Sequence, residues 1–336
     1  MSPRTTLGLP YILEARRNIR PYLSETALRR SDYLSEVSGG NIWLKLENRQ
    51  PTGSFKVRGA LNKISTLETS QKNKILVTGS TGNHGLGVAF ASSILGIRET
   101  HIFIPGNAPR VKVEKLNRLS SSIHIAGETY KDAHRAAENY AQEHDAVYIQ
   151  AYDDVDVIAG QATIGLETIE VLPDMDVIII PVSGGGLIAG IASAVKAIQP
   201  ACRVIGVQAK ASPAAFLSLR DGQPHDPYDH EDTIADGLAG GFGKIPFYLS
   251  RLLIDEILLA EEDELRTGVH TLLAEDQIIA EPSGAASIVP VLSRQPEFIG
   301  KNVVCVISGG NLDIELLREI VLDLVDPFSE DRRSKL

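Results

Sequence analysis

The sequence predicts an α/β fold of open, twisted sheets flanked on both faces by helices. Three observations carry that expectation: apolar, β-branched bursts recur along the chain, helix-length segments lie between them, and three bursts end in glycine-rich turns. In order, the bursts are "NIWLKLE" (41–47), "KILVTG" (74–79), "HIFIP" (101–105), "SIHIAG" (122–127), "VIIIPV" (177–182), "RVIGVQ" (203–208), "EILLA" (256–260) and "NVVCVIS" (302–308). Strand alternating with helix over the whole length places helices on both sheet faces. Segments 110–119, 129–143, 157–171, 187–198 and 261–273 repeat apolar residues three or four apart and are expected to be helices. No internal repeat or low-complexity block appears, and 221–232, rich in Asp, His, Pro and Gly, reads as a loop. No Pro/Gly/Ser linker divides the chain, so composition does not reveal domain boundaries.

Length and charge bound the function. A chain of 336 residues, 43% hydrophobic, can bury a sizeable core in one large or two modest domains. Its 33 basic against 43 acidic residues, with no dense basic run outside Arg332, Arg333 and Lys335, argue against nucleic acid and anionic membrane as partners. The two cysteines, Cys202 and Cys305, lie in apolar strand-like runs and read as reduced, buried thiols, which favours the cytoplasm. The first ten residues lack an export-signal pattern, and no run nears the roughly 18 apolar residues of a membrane span.

The glycine-rich turns are "GSTGNHG" (79–85), "SGGGLIAG" (183–190) and "SGGN" (308–311), each expected to open a helix. A helix N-terminus leaves N–H groups unpaired at the positive end of its dipole, and glycine lets a ligand approach the backbone. In an open α/β sheet such turns gather at the carboxyl edge of the strands, which points to one composite anion pocket. Read singly, "SGGGLIAG" leaves tight-turn chemistry and an anion site both open. It is no Walker A loop, and Ala189 breaks the dinucleotide pattern. "SGGN" alone reads as a helix entry stabilised by Ser308 or Asn311, whereas Ser80, Thr81, Asn83 and His84 exceed what one cap needs. Lys56, in "PTGSFKVRG" (51–59), follows a turn and opens a helix where a cation opposes the dipole. Most lysines are solvated surface charges. A primary amine held there and partly desolvated would have the lowered pKa that Schiff-base lysines require.

Taken together and in this order, "TGSFKVRGA" (52–60), "STGNHG" (80–85), "VIAGQATIGLE" (157–167), "SGGGLIAG", "EPSGA" (281–285) and "ISGGN" (307–311) resemble the fold-type II pyridoxal-phosphate enzymes. Within them the chain is similar to the serine/threonine dehydratase and serine racemase group. The resemblance implies a pyridoxal 5′-phosphate cofactor covalently held by Lys56, with Phe55 packed on one ring face and Asn83 bonded to its 3′-oxygen. It implies that Gly184, Gly185, Gly186 and Leu187 cradle the phosphate with backbone N–H groups and that Ser308 faces the pyridine nitrogen. The backbone and hydroxyls of Ser80, Thr81 and His84 would grip a substrate carboxylate. A hydroxyl opposite the ring nitrogen makes a weaker electron sink than a carboxylate would, which suits prompt loss of a β-leaving group. The expected reaction is dehydration and deamination of a β-hydroxy amino acid such as threonine or serine, with Lys56 as α-proton base.

Some positions bear on the substrate. Tyr152, in "QAYDDVDVIAGQ" (150–161), takes the aromatic place of dehydratases, where the racemase has a polar amide; Asp153 and Asp154 could instead only cap the next helix. Thr81 stands where dehydratases carry alanine and racemases a serine, so it reads as a second acid, a substrate contact or a cap. The same "STGNHG" resembles dehydratase-like enzymes of hydroxyectoine utilisation, and a racemase or a catabolic lyase for 3-hydroxyaspartate or a hydroxyectoine-derived substrate is the alternative. A non-catalytic sensor is disfavoured by the intact Lys56, Asn83 and Ser308. The racemase-like divalent-metal positions read Gln208 and Ala214 here, which lack anionic oxygens, so no such metal is expected. The acidic "HDPYDHEDTIADG" (225–237) reads as a solvated loop, and "TIADGLAGG" (233–241) resembles the family's segment beside the cofactor ring, where Gly237 to Gly241 would let the backbone come close.

By the same resemblance, 50–148 form a small domain, 1–49 and 149–325 a large cofactor-binding domain, and 326–336 a tail. A carboxy-terminal amino-acid-sensing domain is not expected, and a homodimer is. Arg58 is expected to fix its helix to the surroundings and not to touch substrate.

Overall fold

The structure, a computed structural model, describes residues 7–80, 82–106, 108, 110–119, 121–293 and 296–325. Thr81 and the tail 326–336 lie outside the described residues. The strands in chain order are β1 (Leu28–Ser31), β2 (Asn41–Lys45), β3 (Leu76–Gly79), β4 (Thr100–Ile104), β5 (Ser122–Ile125), β6 (Val147–Tyr148), β7 (Val177–Pro181), β8 (Arg203–Ala209), β9 (Glu256–Ala260) and β10 (Asn302–Val306). They form two sheets: six strands in the order β1-β2-β10-β7-β8-β9 and four in the order β5-β4-β3-β6. All pairings are parallel except β1 with β2. Every expected strand is present. β1 and β6 were not anticipated: "LRRS" exposes both arginines at a sheet edge, and β6 is two residues long.

The centre of the large sheet shows why an unbroken apolar run becomes a parallel strand. All five residues of β7 are buried, paired on one side to β10 and on the other to β8. One core lies on each face. Ile179, Ile205 and Cys305 pack towards one, with Leu265, Val269 and Ile288, while Ile178, Val204 and Val306 pack towards the other, with Ile188 and Ile191. The neighbours in each strand thus point to opposite cores, as a sheet covered on both faces requires.

The expected helices appear, and three of them carry side-chain caps. Thr129 and Asp132 form a capping box on Tyr130–Glu143, and Glu261 with Glu264 another on Glu262–Ala274. Asp154 caps Val155–Val171 by accepting from the N–H groups of Asp156 and Val157 at 2.8 and 3.1 Å. Its neighbour Asp153 accepts from the N–H of Ile245 at 2.7 Å, anchoring the helix Lys244–Ser250. One expectation is corrected: "SGGN" opens no helix directly. The helix Ile314–Val325 starts three residues later, with Asp313 accepting from the N–H of Glu315 at 2.9 Å, and Asn311 bonds elsewhere. No helix of the described residues is long and apolar enough to cross a membrane.

Candidate active site

Lys56 opens the helix Lys56–Thr66, with Phe55 at its N-cap. The turn before it is stitched to the end of β10. The N–H of Phe55 donates to the carbonyl of Ser308 at 3.0 Å, Gly310 N–H donates to Gly53 at 2.9 Å, and Ser54 bridges Gly309. Gly53 adopts φ +75°, and a side chain there would run into Asn311, so glycine is what lets the two loops meet. Backbone pairing thereby brings Lys56 and Ser308 together from positions more than 250 residues apart.

The Lys56 amine donates to the carbonyl of Ala151 at 3.1 Å and lies 5.2 Å from the centroid of the Phe55 ring. Burial pulls its pKa down from 10.5 to about 8, against a weaker upward pull from Glu281. The amine is therefore within reach of its neutral, nucleophilic form near physiological pH.

The helix Asn83–Ile94 brings the second motif alongside. A Cβ on Gly87 would stand 3.1 Å from the N of Val57, so this helix crosses directly over the start of the lysine helix. Asn83 Nδ2 donates to Glu281 Oε1 at 2.6 Å, and its Oδ1 accepts from Asn311 Nδ2 at 2.6 Å. Asn311 in turn donates to the carbonyl of Thr52 and accepts from Lys115. Glu281 is a site residue that the motifs did not single out; its signal was an acidic residue within "EPSGA", and only the fold shows its carboxylate on Asn83.

Ser80 is buried, and its Oγ accepts from the N–H of Gly82 at 3.3 Å. His84 is buried with Nε2 3.1 Å from the carbonyl of Ile149. A carbonyl only accepts, so Nε2 carries the proton and Nδ1 is a bare acceptor. Burial and the nearby Lys56 push its pKa down to about 3. The neutral ring cannot donate to a carboxylate, which leaves the backbone N–H of His84, in the first turn of its helix, as the group able to do so.

The phosphate-loop candidate opens the helix Gly186–Ile198, with Gly185 at φ +88°. A Cβ would lie 2.3 Å from the Tyr152 ring at Gly184, 2.3 Å from Phe242 at Gly185 and 3.2 Å from Tyr152 at Gly186. Aromatic rings fill that side of the loop. Tyr152 follows Ala151, so the residue that accepts from Lys56 and the ring that covers the loop are chain neighbours. Its hydroxyl donates to Asp226 at 3.2 Å, tying 225–232 to the site. Ser183 Oγ donates to the carbonyl of Ala239, bringing 237–241 against the same loop. The expected metal positions are differently engaged: Gln208 Oε1 accepts from the N–H groups of Ala215 and Phe216 at 3.0 and 3.2 Å, and Ala214 is fully buried.

A desolvated amine, a glycine cradle at a helix N-terminus and the polar cluster around Asn83 fit an anionic carbonyl cofactor. Two buried hydroxyls beside them, those of Ser54 and Ser283, have no partner among the described residues. Residues 19–309 match the model of the family described as pyridoxal-phosphate dependent enzyme. The chain belongs to the pyridoxal-phosphate dependent enzymes. It is 40% identical over 316 residues to an L-threonine ammonia-lyase of Thermotoga maritima, covering 94% of this chain and 78% of that one. Among solved structures it resembles the processed threonine deaminase isoform 2 of Solanum lycopersicum, with TM-score 0.89, 31% identity, and 95% and 90% of the two chains covered. It also resembles maize serine racemase, with TM-score 0.86, 30% identity, and 95% and 98% covered. Pyridoxal phosphate is the cofactor of this family, and the two-sheet α/β fold is the one its members share.

Proposed function

We propose that this pyridoxal-phosphate enzyme is an ammonia-lyase that eliminates the β-hydroxyl of L-threonine or L-serine, yielding a 2-oxo acid and ammonia. The observation that carries the reading is the Lys56 amine, desolvated to a pKa of about 8 between Phe55, Ala151 and the end of β10. The threonine ammonia-lyase and threonine deaminase relatives support the substrate class.

The bound cofactor supplies a covalent hold on the substrate amine and a sink for the electrons of the Cα–H bond. Lys56 would anchor it through Nζ, and the same nitrogen, when free, would take the substrate's α-proton. N–H groups of Gly184 to Leu187 would hold the phosphate, and Asn83, itself oriented by Glu281 and Asn311, would hold the 3′-oxygen. Ser308 would offer the ring nitrogen a hydroxyl and not a carboxylate. Ser80 and the backbone N–H of His84 take the substrate carboxylate, with Tyr152 as a wall beside the phosphate loop. The proton taken at Nζ balances the one the β-hydroxyl needs in order to leave as water, and the released enamine takes up one water in solution to give the 2-oxo acid and ammonia. Thr81, as a contact or second acid, belongs to the same proposal.

Residues 50–148 form a small lobe around the four-stranded sheet, and 1–49 with 149–325 a large one around the six-stranded sheet; lobe closure then excludes water from the cofactor. The enzyme works in the cytoplasm as a homodimer without a divalent metal. The test is a panel of β-hydroxy amino acids with 2-oxo acid and ammonia detection, run beside Lys56→Ala. Threonine or serine turnover that disappears in the variant is expected; turnover of neither by the native enzyme refutes the substrate class.

A further inference from the structure

Arg58 sits two residues after Lys56 and is only 1% exposed. Its Nε and Nη2 donate to the two oxygens of Glu47, both at 2.8 Å. Its Nη1 and Nη2 donate to the two oxygens of Glu167 at 2.5 and 2.8 Å, and Nη1 also reaches Thr163 Oγ1 at 3.0 Å. Lys45 Nζ completes the group by donating to Glu167 Oε2 at 2.6 Å and to the carbonyl of Thr26 at 2.8 Å. Two cations and two carboxylates thus lie buried together, neutral overall.

The four charges join separate elements. Lys45 ends β2, Glu47 lies in the turn after it, Arg58 is in the first turn of the lysine helix, and Glu167 is in Val155–Val171. Beside Arg58 the two helices touch through backbone. A Cβ on Gly160 would stand 2.5 Å from the carbonyl oxygen of Arg58, and one on Gly59 2.8 Å from that of Val157. A buried ion cluster is weak evidence for stability, because apolar residues of the same volume often serve as well. What it supplies and apolar packing does not is direction: a planar guanidinium gripping two carboxylates bidentately fixes helix rotation as well as distance.

The balance of charge has a second effect. Among the described residues, the groups facing the Lys56 amine are the carboxylate of Glu281, the neutral ring of His84, the Phe55 ring and the Ala151 carbonyl. Glu47 and Glu167 add no net charge to these surroundings while Arg58 and Lys45 are present. Loss of the guanidinium would leave one uncompensated buried negative charge next to the lysine turn, and an anion there favours the protonated amine.

We propose that Arg58 is a positioning residue for Lys56: it fixes the first turn of the lysine's helix by gripping Glu47 and Glu167 together, and by cancelling their charge it adds no further negative charge to the Glu281 carboxylate that the amine already faces. The inference rests on Lys56 being the cofactor anchor and base. Its test compares Arg58→Met with the double variant Glu47→Gln/Arg58→Met, in which the remaining Lys45 and Glu167 restore neutrality. Three readouts apply to the full-length enzyme: thermal unfolding, kcat and KM for threonine, and the pH midpoint for recapture of added pyridoxal phosphate after the cofactor has been stripped.

Arg58→Met is expected to lower kcat more than tenfold with KM within about threefold, and to raise the recapture midpoint by about one pH unit. The double variant is expected to return the midpoint to within about 0.3 of the native value. A folded Arg58→Met with native kcat and midpoint overturns the proposal. If Arg58→Met does not fold, a folded double variant with the native midpoint supports it, whereas failure of both to fold overturns it by showing that Arg58 holds the fold as a whole and not the lysine turn in particular. Covalent recapture by Lys56→Ala would refute the anchor assignment itself. Loss of recapture there with an unmoved Arg58→Met midpoint refutes only this inference.

Discussion

Replacing Lys56 by methionine in the chain stripped of cofactor should stabilise it at neutral pH. The folded amine has a pKa near 8 against an ordinary 10.5, so between those values the unfolded chain binds more protons than the folded one. Stability then rises with pH. Below pH 8 the full penalty of burying a charged amine is present, at most about 3 kcal/mol from that fall in pKa. As pH climbs through 8 towards 10.5 the penalty is relieved. Methionine keeps the aliphatic packing and removes the charge, but it also removes the bond to Ala151, worth about 1 kcal/mol. Urea unfolding should show Lys56→Met more stable by about 1–2 kcal/mol at pH 7, with the difference shrinking steadily by pH 9.5. A variant less stable than native at pH 7, or a gap that does not narrow with pH, would refute the claim that this amine is held desolvated.

Other expectations follow from the same geometry. Gly185→Ala forces φ +88° on a residue whose Cβ would stand 2.3 Å from Phe242, so cofactor affinity should fall at least tenfold in a fluorescence titration. Asn83→Ala unlinks Glu281 from Asn311 and should weaken cofactor binding while leaving the melting temperature within a few degrees. Asp154→Ala removes the cap of Val155–Val171 and an ion pair to Lys63 at 2.7 Å, and should cost about 1–2 kcal/mol in denaturant unfolding. Treatment with a chelator should leave turnover unchanged, because Gln208 is engaged with backbone N–H groups; full loss restored by Mg²⁺ would overturn that.

Much of the fold was legible because buried parallel strands must be apolar on both faces, and a run as short and β-branched as "VIIIPV" suits that place better than a helix. The division into two sheets was not legible from the bursts alone, since strand pairing is set by contacts far apart in sequence. β1 escaped notice because its pairing with β2 is carried by backbone bonds while Arg29 and Arg30 face solvent. "SGGN" misled as a helix opener: its asparagine looked like a cap but bonds across to Asn83 and Thr52. The motifs named Lys56, Asn83, His84 and the glycine loop, and the fold brings them together. The carboxylates of Glu47, Glu167 and Glu281 were not singled out, because a buried charge announces itself only when its partner comes into view.

Borohydride reduction of the native enzyme followed by peptide mass mapping tests the central claim most directly. The account predicts that the cofactor mass is fixed to the peptide containing Lys56 and to no other. Label on a different lysine, or an unlabelled Lys56 in a catalytically active preparation, would contradict it.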